Sequence, residues 1–456
     1  MTASRFANEA EAVTYIFRSM RKLHGSHHRG PDDVTRDTRP TIRLLTERDM
    51  VREPREYAVV TGSKGKGSTT AITASVLRRI GHTVGMISSP HLVSWRERIR
   101  VNGRAIPEAD FCRILGDLAP SIDAIEDTLT NNQYFSPQGI FLAIGLQWFD
   151  ECHVNAAVLE VGRGGRFDDI AVVPNKVSLF TPIMLEHPLQ LGPTLERIAW
   201  HKAGIIKAQS YAYSVPQAHE VLDVLQRECD TLDAEFYWFP PMELGQYVGQ
   251  SETGLRMTLG RYGEVELGLL GQYQMGNATL AVQAAGNMHA RLPGIDHSTP
   301  EYVQAVRDGL KNVIWPGRVQ LVETSPNVFL DGAINAESAA LFVKSITGRL
   351  TEPVIAIVGA PDDKDYVGVY RELGRIAKTL IITETARNPT LQFPSQKDAL
   401  AAAGQFNSDV RYAPTLADAL TLAKSLAGRD GSIVIAGTQS IVADTVNHYG
   451  LSYEQI

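Results

Sequence analysis

The stretch TGSKGKGST at 61–69 constrains this chain most. It sits between a short β-rich run, Tyr57–Thr61, and a helical pattern over Ser68–Ile80. A strand that turns through glycines into a helix leaves several backbone N–H groups aimed at one spot, which holds an anion. Gly62, Gly65 and Gly67 permit the tight turn and a close phosphate. Lys66 brings a mobile positive charge to the β and γ phosphates, and the Ser68 hydroxyl can join a magnesium shell. Gly62, Ser63, Gly65, Lys66, Gly67, Ser68 and Thr69 are the candidates for nucleotide binding. The spacing is shorter before the lysine than in GxxxxGK[ST], and a glycine follows it. Lys64 reads equally as a phosphate ligand or as a solvated loop lysine.

Around this loop, short apolar runs alternate with helical patterns. Val84–Ser88, Val154–Glu160 and Val177–Phe180 read as strands and Ile140–Phe149 as a helix. That alternation predicts an α/β domain with a mostly parallel sheet. Residues 1–50 read as a leading helix followed by a polar loop. Leu255–Leu259 and Glu264–Leu270 suggest a small β-flap, followed by a helix near Asn277–Asn287. Prolines gather over 292–319, and the linker is placed at about 313–319. A second alternating unit follows, with strands at Val328–Leu330, Val354–Val358, Leu380–Thr383 and Ile433–Ala436 and helices around 338–348, 366–377 and 415–427. It reads as a smaller α/β domain of about five strands, four of them legible. The expected division is 1–312 and 320–456.

The formal charge of −7 gives no general argument for nucleic-acid binding. Cys112, Cys152 and Cys229 lack zinc-knuckle spacing, and no apolar run is long enough for a leader or a membrane span. A reducing cytoplasm is the simplest expectation. The segment Arg21–Arg29 carries three histidines and reads as a solvated loop or substrate-facing basic patch, with a metal site as the alternative.

Glu160 ends an apolar strand, and a carboxylate there faces the usual α/β ligand crevice. It reads as a magnesium ligand, or else as a capping or loop carboxylate. His187, in PIMLEHP, could ligate a second cation or serve as a hydrogen-bonded loop histidine. Lys202 and Lys207 lie in ERIAWHKAGIIK, where a lysine beside two cations would be an electrostatic clamp.

Taken together, these segments resemble the folylpolyglutamate synthase branch of the Mur ligase superfamily. The resemblance rests on TGSKGKGST, ISSPHLVSWRERIRVNG at 87–103, LEVGRGGRFD at 159–168 and LGPTLERIAWHKAGIIK at 191–207. It continues through GQYQMGNATLA at 271–281, WPGR at 315–318, LDGAIN at 330–335 and DDKDY at 362–366. It implies a Mur-ligase-like P-loop nucleotide domain followed by a smaller Rossmann-like α/β domain. It also implies ATP and Mg2+, small-molecule carboxylate and amine substrates, no nucleic-acid or membrane partner, and a monomer or homodimer. Lys66 would bind phosphate; Ser68, Ser89 and Glu160 would organise one magnesium and His187 the other. Lys202 matches the family's carbamylated lysine, whose added carboxylate supports the metals. Gln274 and Asn277 would shape the nucleotide pocket, and Arg318 and Asp331 would bring the second domain against ATP. The implied reaction phosphorylates a carboxylate and lets an amine capture the acyl phosphate.

Several positions depart from the family. DGAIN puts Ile334 where a histidine is common, with Asn335 kept, and Thr438 replaces a serine in the late GTQS segment. Ile334 offers no hydrogen bond, which weakens a glutamate assignment. Glu186, His187 and Pro188 replace the DHT segment, and Lys64 replaces a common asparagine. Arg166, Asp168, Ile334, Asp365, Arg387 and Thr438 are the substrate-binding candidates, with Arg387 a possible replacement for the missing histidine. The alternatives are a divergent ligase for a non-folate acid and a non-glutamate amine, or a non-catalytic nucleotide-binding regulator.

Overall fold

The computed structural model describes residues 5–23, 30–51, 55–130, 133–251, 254–388 and 390–456. Its first sheet contains β1 (Glu56–Thr61), β2 (Val84–Ile87), β3 (Ile99–Val101), β4 (Arg104–Ala105), β5 (Ala156–Glu160), β6 (Val177–Phe180), β7 (Tyr211–Ser214) and β8 (Glu235–Trp238). The order is β4-β3-β2-β5-β1-β6-β7-β8. It is parallel throughout except for β3 and β4, which form an antiparallel edge. The central strands are apolar on both faces because helices cover both. Tyr57 and Val59 look into a core built with the helices Glu108–Glu126, Pro137–Glu151 and Leu195–Ala203. Ala58 and Val60 look the other way, onto Lys66–Arg79, Gln274–His289 and Pro300–Lys311.

A flap of three antiparallel strands leans on that second core: β9 (Gln246–Gln250), β10 (Leu255–Thr258) and β11 (Glu264–Leu267). The second domain holds β12 (Gln320–Thr324), β13 (Asn327–Asp331), β14 (Val354–Gly359), β15 (Thr379–Ile382), β16 (Val410–Tyr412) and β17 (Ser432–Gly437). Their order is β12-β13-β17-β14-β15-β16, and only β12 is antiparallel. The expected two-domain α/β architecture is therefore present, but the second sheet has six strands rather than about five. β12 and β16 lie at its edges and carry no fully buried residue, so they lack the apolar runs that mark the inner strands.

One other expectation is corrected, and one region left unread gains an element. The polar stretch before residue 50 contains two helices, Asp32–Thr35 and Arg39–Glu47, the second burying Leu44 and Leu45. The proline-bearing region 292–319 includes the helix Pro300–Lys311. There Thr299 accepts the Tyr302 N–H and Pro300 occupies the first turn, where its missing N–H costs nothing. His24, His27 and His28 lie outside the described residues. Among the described residues no helix is long and apolar enough to cross a membrane.

The domains also touch away from the linker. The Ala105 N–H donates to the Glu454 carbonyl at 2.7 Å and the Ile456 N–H to Gly103 at 3.0 Å, so the tail pairs along the β4 edge. Leu92 packs into the second domain's core.

Candidate active site

The strand order β5-β1-β6 places the chemistry. β1 leads into the glycine loop, with β5 and β6 as its neighbours, and Val60 pairs with Glu160 while Thr61 pairs with Phe180. Glu160 therefore ends level with the loop on one side. On the other, the chain leaving β6 carries Glu186 and His187, and the Ser63 N–H bonds to the Pro182 carbonyl at 2.7 Å.

The loop enters its helix through Gly65 at φ +88°, where a Cβ would stand 2.5 Å from Asn277 Oδ1. At Gly67 a Cβ would meet the Trp315 ring at 2.8 Å, so the WPGR segment presses directly on the loop. Lys66 Nζ donates to the Gly62 carbonyl at 3.0 Å. Lys202 Nζ donates to the same oxygen at 2.9 Å and pairs with Glu186 Oε1 at 2.9 Å. The Lys202 side chain is only 1% exposed. Burial brings its ammonium down to about 8, with Glu186 opposing the shift and Lys66 adding to it. Burial pushes Glu186 up, but Lys202 and Lys66 together hold it below the usual carboxylate range.

Glu160 is buried and accepts the Ser89 N–H at 3.1 Å. Burial pushes its carboxyl up to about 7, against the pull of Lys66, the Ser89 N–H, Arg318 and Arg98. His187 sits in the left-handed region at φ +48°, and burial lowers its imidazole. The Ser68 and Ser89 hydroxyls and the Glu160 carboxylate are oxygen donors of the kind magnesium takes, and Ser89 and Glu160 line one cleft. No closed cage of three His, Cys, Asp or Glu side chains occurs among the described residues. Lys202 cannot ligate a metal as an ammonium; only an added carboxylate would give it oxygen ligands.

Gln274 and Asn277 are buried against the loop itself. Gln274 Nε2 donates to Ser68 Oγ at 3.3 Å, and Asn277 Nδ2 to Gln274 Oε1 at 2.7 Å. Arg318 lines a cleft with Gly67, Ser89, Glu160 and Trp315. Asp331 accepts the Val319 N–H at 2.8 Å; burial pushes it up to about 6, against Arg318 and, more weakly, Lys64.

The substrate candidates are less well gathered. Asp168 organises its own loop, accepting the Gly162 and Ile170 N–H groups at 3.1 Å and pairing with Arg36 at 3.3 Å. Arg166 pairs with Glu228 at 2.8 Å and stacks on Trp200. Asp365 caps the helix Tyr366–Gly374 and accepts the Ala336 N–H at 3.0 Å. Thr438 caps the helix Gln439–His448, and Ile334 is half-buried just before the helix Ala336–Ile346. Arg387 pairs with Asp444 at 2.7 Å beside a separate cavity of about 780 Å³. Two contacts were not anticipated from sequence. The Glu186–Lys202 pair had a faint signal, the carboxylate beside His187; Trp315 against Gly67 had none beyond the linker motif.

A P-loop sheet joined to a second α/β domain, with a carboxylate and two lysines converging on the loop, defines an ATP-dependent ligase of the Mur type. Residues 317–439 match the family described as Mur ligase, glutamate ligase domain. The chain is 30% identical over 397 residues to the dihydrofolate synthase/folylpolyglutamate synthase of Bacillus subtilis (strain 168), covering 84% of this chain and 88% of that one. It is 28% identical over 395 residues to the folylpolyglutamate synthase of Lacticaseibacillus casei, covering 84% and 86%. Its fold matches that of Mycobacterium tuberculosis folylpolyglutamate synthase complexed with ADP and AMPPCP, with TM-score 0.80 and 25% identity over 97% of this chain and 99% of that one. The chain belongs to the folylpolyglutamate synthase family.

Proposed function

We propose that the chain uses ATP and magnesium to join a folate-type acid to glutamate through an acyl phosphate. The observation that carries this reading is the pairing of a near-full-length match to relatives of that activity with a glycine loop on which Lys66, Glu160 and Lys202 converge. The acid's carboxylate oxygen attacks the γ-phosphorus of ATP, and ADP leaves. The neutral amine then attacks the acyl carbon, and phosphate departs with the carbon–oxygen electron pair. Lys66 neutralises phosphate oxygens as charge moves. Ser68, Ser89 and Glu160, with His187 nearby, would hold magnesium, which supplies Lewis-acid stabilisation of those oxygens. Carbamylated Lys202 would complete the second cation's shell. Residues 1–312 would carry the nucleotide and 320–456 would close on it about 313–319, excluding water from the acyl phosphate. The three cysteines are unpaired, which supports a reducing cytoplasm; a monomer or homodimer fits the small-molecule substrates.

Ile334 favours a second reading, in which the incoming amine is less acidic than glutamate. A substrate matrix separates the two: folates, short peptide acids and unrelated carboxylates, each with glutamate, glutamine and an apolar amino acid, read by ADP release and product mass. Glutamyl-folate as the preferred product supports the first reading. ADP release coupled only to a neutral amine, or to no amine, overturns it.

A further inference from the structure

Tyr453 packs with the second domain's core, and its hydroxyl accepts from Gln320 Nε2. Gln320 Oε1 in turn accepts the N–H of Gly317, in the linker, at 2.9 Å. One residue further on, the chain has crossed to the first domain. The Glu454 carbonyl accepts the Ala105 N–H at 2.7 Å, and the Ile456 N–H donates to the Gly103 carbonyl at 3.0 Å. Arg104 and Gln455 face each other as antiparallel partners between those two bonds. Arg78, on the helix that leaves the nucleotide loop, donates to the Ile456 oxygen at 3.1 Å. Ile456 also shares a small cavity with Val313 and Ile314, where the linker begins. Asn102 at φ +49° and Gly103 at φ +82° form the tight turn between β3 and β4. A Cβ on Gly103 would stand 2.0 Å from the Ile456 oxygen, so only glycine lets the tail lie there.

The second domain therefore hangs on two crossings that run side by side, the linker and the tail. A single peptide linker leaves a domain free to swivel about its backbone torsions. A hydrogen-bonded crossing alongside it removes that freedom. Because Tyr453 already anchors the tail, its bonds to the β4 edge form intramolecularly, and each needs little strength of its own. The flap also reaches the second domain, but through side chains. Gln250 Nε2 donates to the Ser345 carbonyl at 3.3 Å, and Arg349 Nε donates to Gln250 Oε1 at 2.9 Å. A swivel would displace Arg318, which follows Gly317 in the chain and lines the cleft with Gly67, Ser89 and Glu160.

We propose that residues 453–456 are a strap that holds the second domain at one setting on the first, with Arg318 beside the nucleotide loop. These are positioning residues, and their kinetic effect rests on the ligase reading above. Ile456→Pro removes the N–H given to Gly103. Gly103→Asn keeps a residue that tolerates positive φ but blocks the tail. Glu454→Ala, which leaves the backbone bonds in place, is the control. In the two strap variants kcat should fall about tenfold, as a small misplacement of a group in the site would cause. Their radius of gyration in small-angle X-ray scattering should rise. Glu454→Ala should stay within about twofold of wild type in kcat, since its exposed ion pair contributes little. Rescue comes from Arg104→Cys combined with Gln455→Cys. Antiparallel partners that exchange no bond stand about 4.5 Å apart at Cα, a span a disulfide bridges. Added to Ile456→Pro, the oxidised pair should restore kcat and the compact scattering profile, and dithiothreitol should undo both. Strap variants that lose melting temperature alone, with kcat and scattering unchanged, overturn the proposal. So does an oxidised pair that slows the otherwise wild-type enzyme. If wild type shows no acid-dependent ADP release, the ligase reading fails by itself. The strap is then judged by scattering, where an unchanged radius in Ile456→Pro overturns it.

Discussion

Glu160 is enclosed at the tip of β5, where among the described residues it has one backbone hydrogen bond and no contacting cation, although the field of Lys66 reaches it. Its remaining lone pairs are what a divalent cation would use. Glu160→Gln keeps the shape and removes the charge, so it should fold normally and lose roughly 2.7–4 kcal/mol of transition-state stabilisation, by analogy with deletion of one oriented electrostatic contact. That corresponds to about a hundred- to thousandfold in kcat/KM, most severe at limiting magnesium. Wild-type turnover there would falsify the role. Lys202 poses a different question, because carbon dioxide adds only to a neutral amine. With its ammonium lowered to about 8, roughly half the side chain is neutral near that pH. Activity should therefore rise with bicarbonate and between neutral pH and 8.5, while Lys202→Ala should lose turnover and partly regain it with short carboxylic acids. A high-resolution density map would show the added carboxylate; full activity of Lys202→Ala, indifferent to those acids, would remove it from the mechanism.

At the scale of elements, the helices Lys66–Arg79 and Gln274–His289 run side by side from the nucleotide loop, and a histidine pair closes their far ends. His82 Nε2 lies 2.7 Å from His289 Nδ1, and His289 Nε2 lies 2.6 Å from the Ile295 carbonyl. A carbonyl only accepts, so His289 donates through Nε2 and accepts His82's proton at Nδ1. His289 must stay neutral to accept at Nδ1, and protonating His82 would add a buried Nδ1–H that finds no acceptor among the described residues. Burial takes His82 down to about 4, below its ordinary value of 6.5. The unfolded chain then binds more protons than the folded one between those values, so stability is complete above pH 6.5 and declines as pH falls toward 4. By pH 5 the loss is on the order of 2 kcal/mol, a few degrees of melting temperature. His82→Phe should flatten the decline measured by calorimetry from pH 7 to 5; an undiminished slope would assign the acid sensitivity elsewhere.

Across the whole molecule, Arg96 joins three distant parts of the chain. Its guanidinium reaches Glu9 at 3.2 Å, Glu454 at 3.0 Å and the Ile106 carbonyl at 3.1 Å. The leading helix, the segment before β3 and the tail of the second domain thus share one cation. Glu454 is 66% exposed, so its ion pair is screened and contributes little. The better-buried Glu9 and the carbonyl bond carry most of the effect. Arg96→Ala should destabilise by about 1–3 kcal/mol, and Glu454→Ala by much less. Chemical denaturation checks the order: equal losses in the two variants would place the coupling in the tail instead.

Much of this protein is local in its coding. The nucleotide loop, the alternation of apolar runs with helices, and Glu160 at a strand end are set by periodicity and glycine placement over a few residues, so they are legible in the chain. The edge strands β12 and β16 were not, because an edge exposes one side and loses the apolar run. Among the site residues, what each side chain does was decided in three dimensions. Arg387 is held by Asp444, 57 positions away, and Asp365 is occupied by the backbone of a helix 29 positions earlier. Glu186 meets Lys202 because β6 and the helix Leu195–Ala203 flank one loop. Sequence determines which charges exist and which elements carry them. Ion pairing acts over a few ångströms and ignores position in the chain, so only the packed sheet decides which charges neutralise each other and which stay available to a substrate.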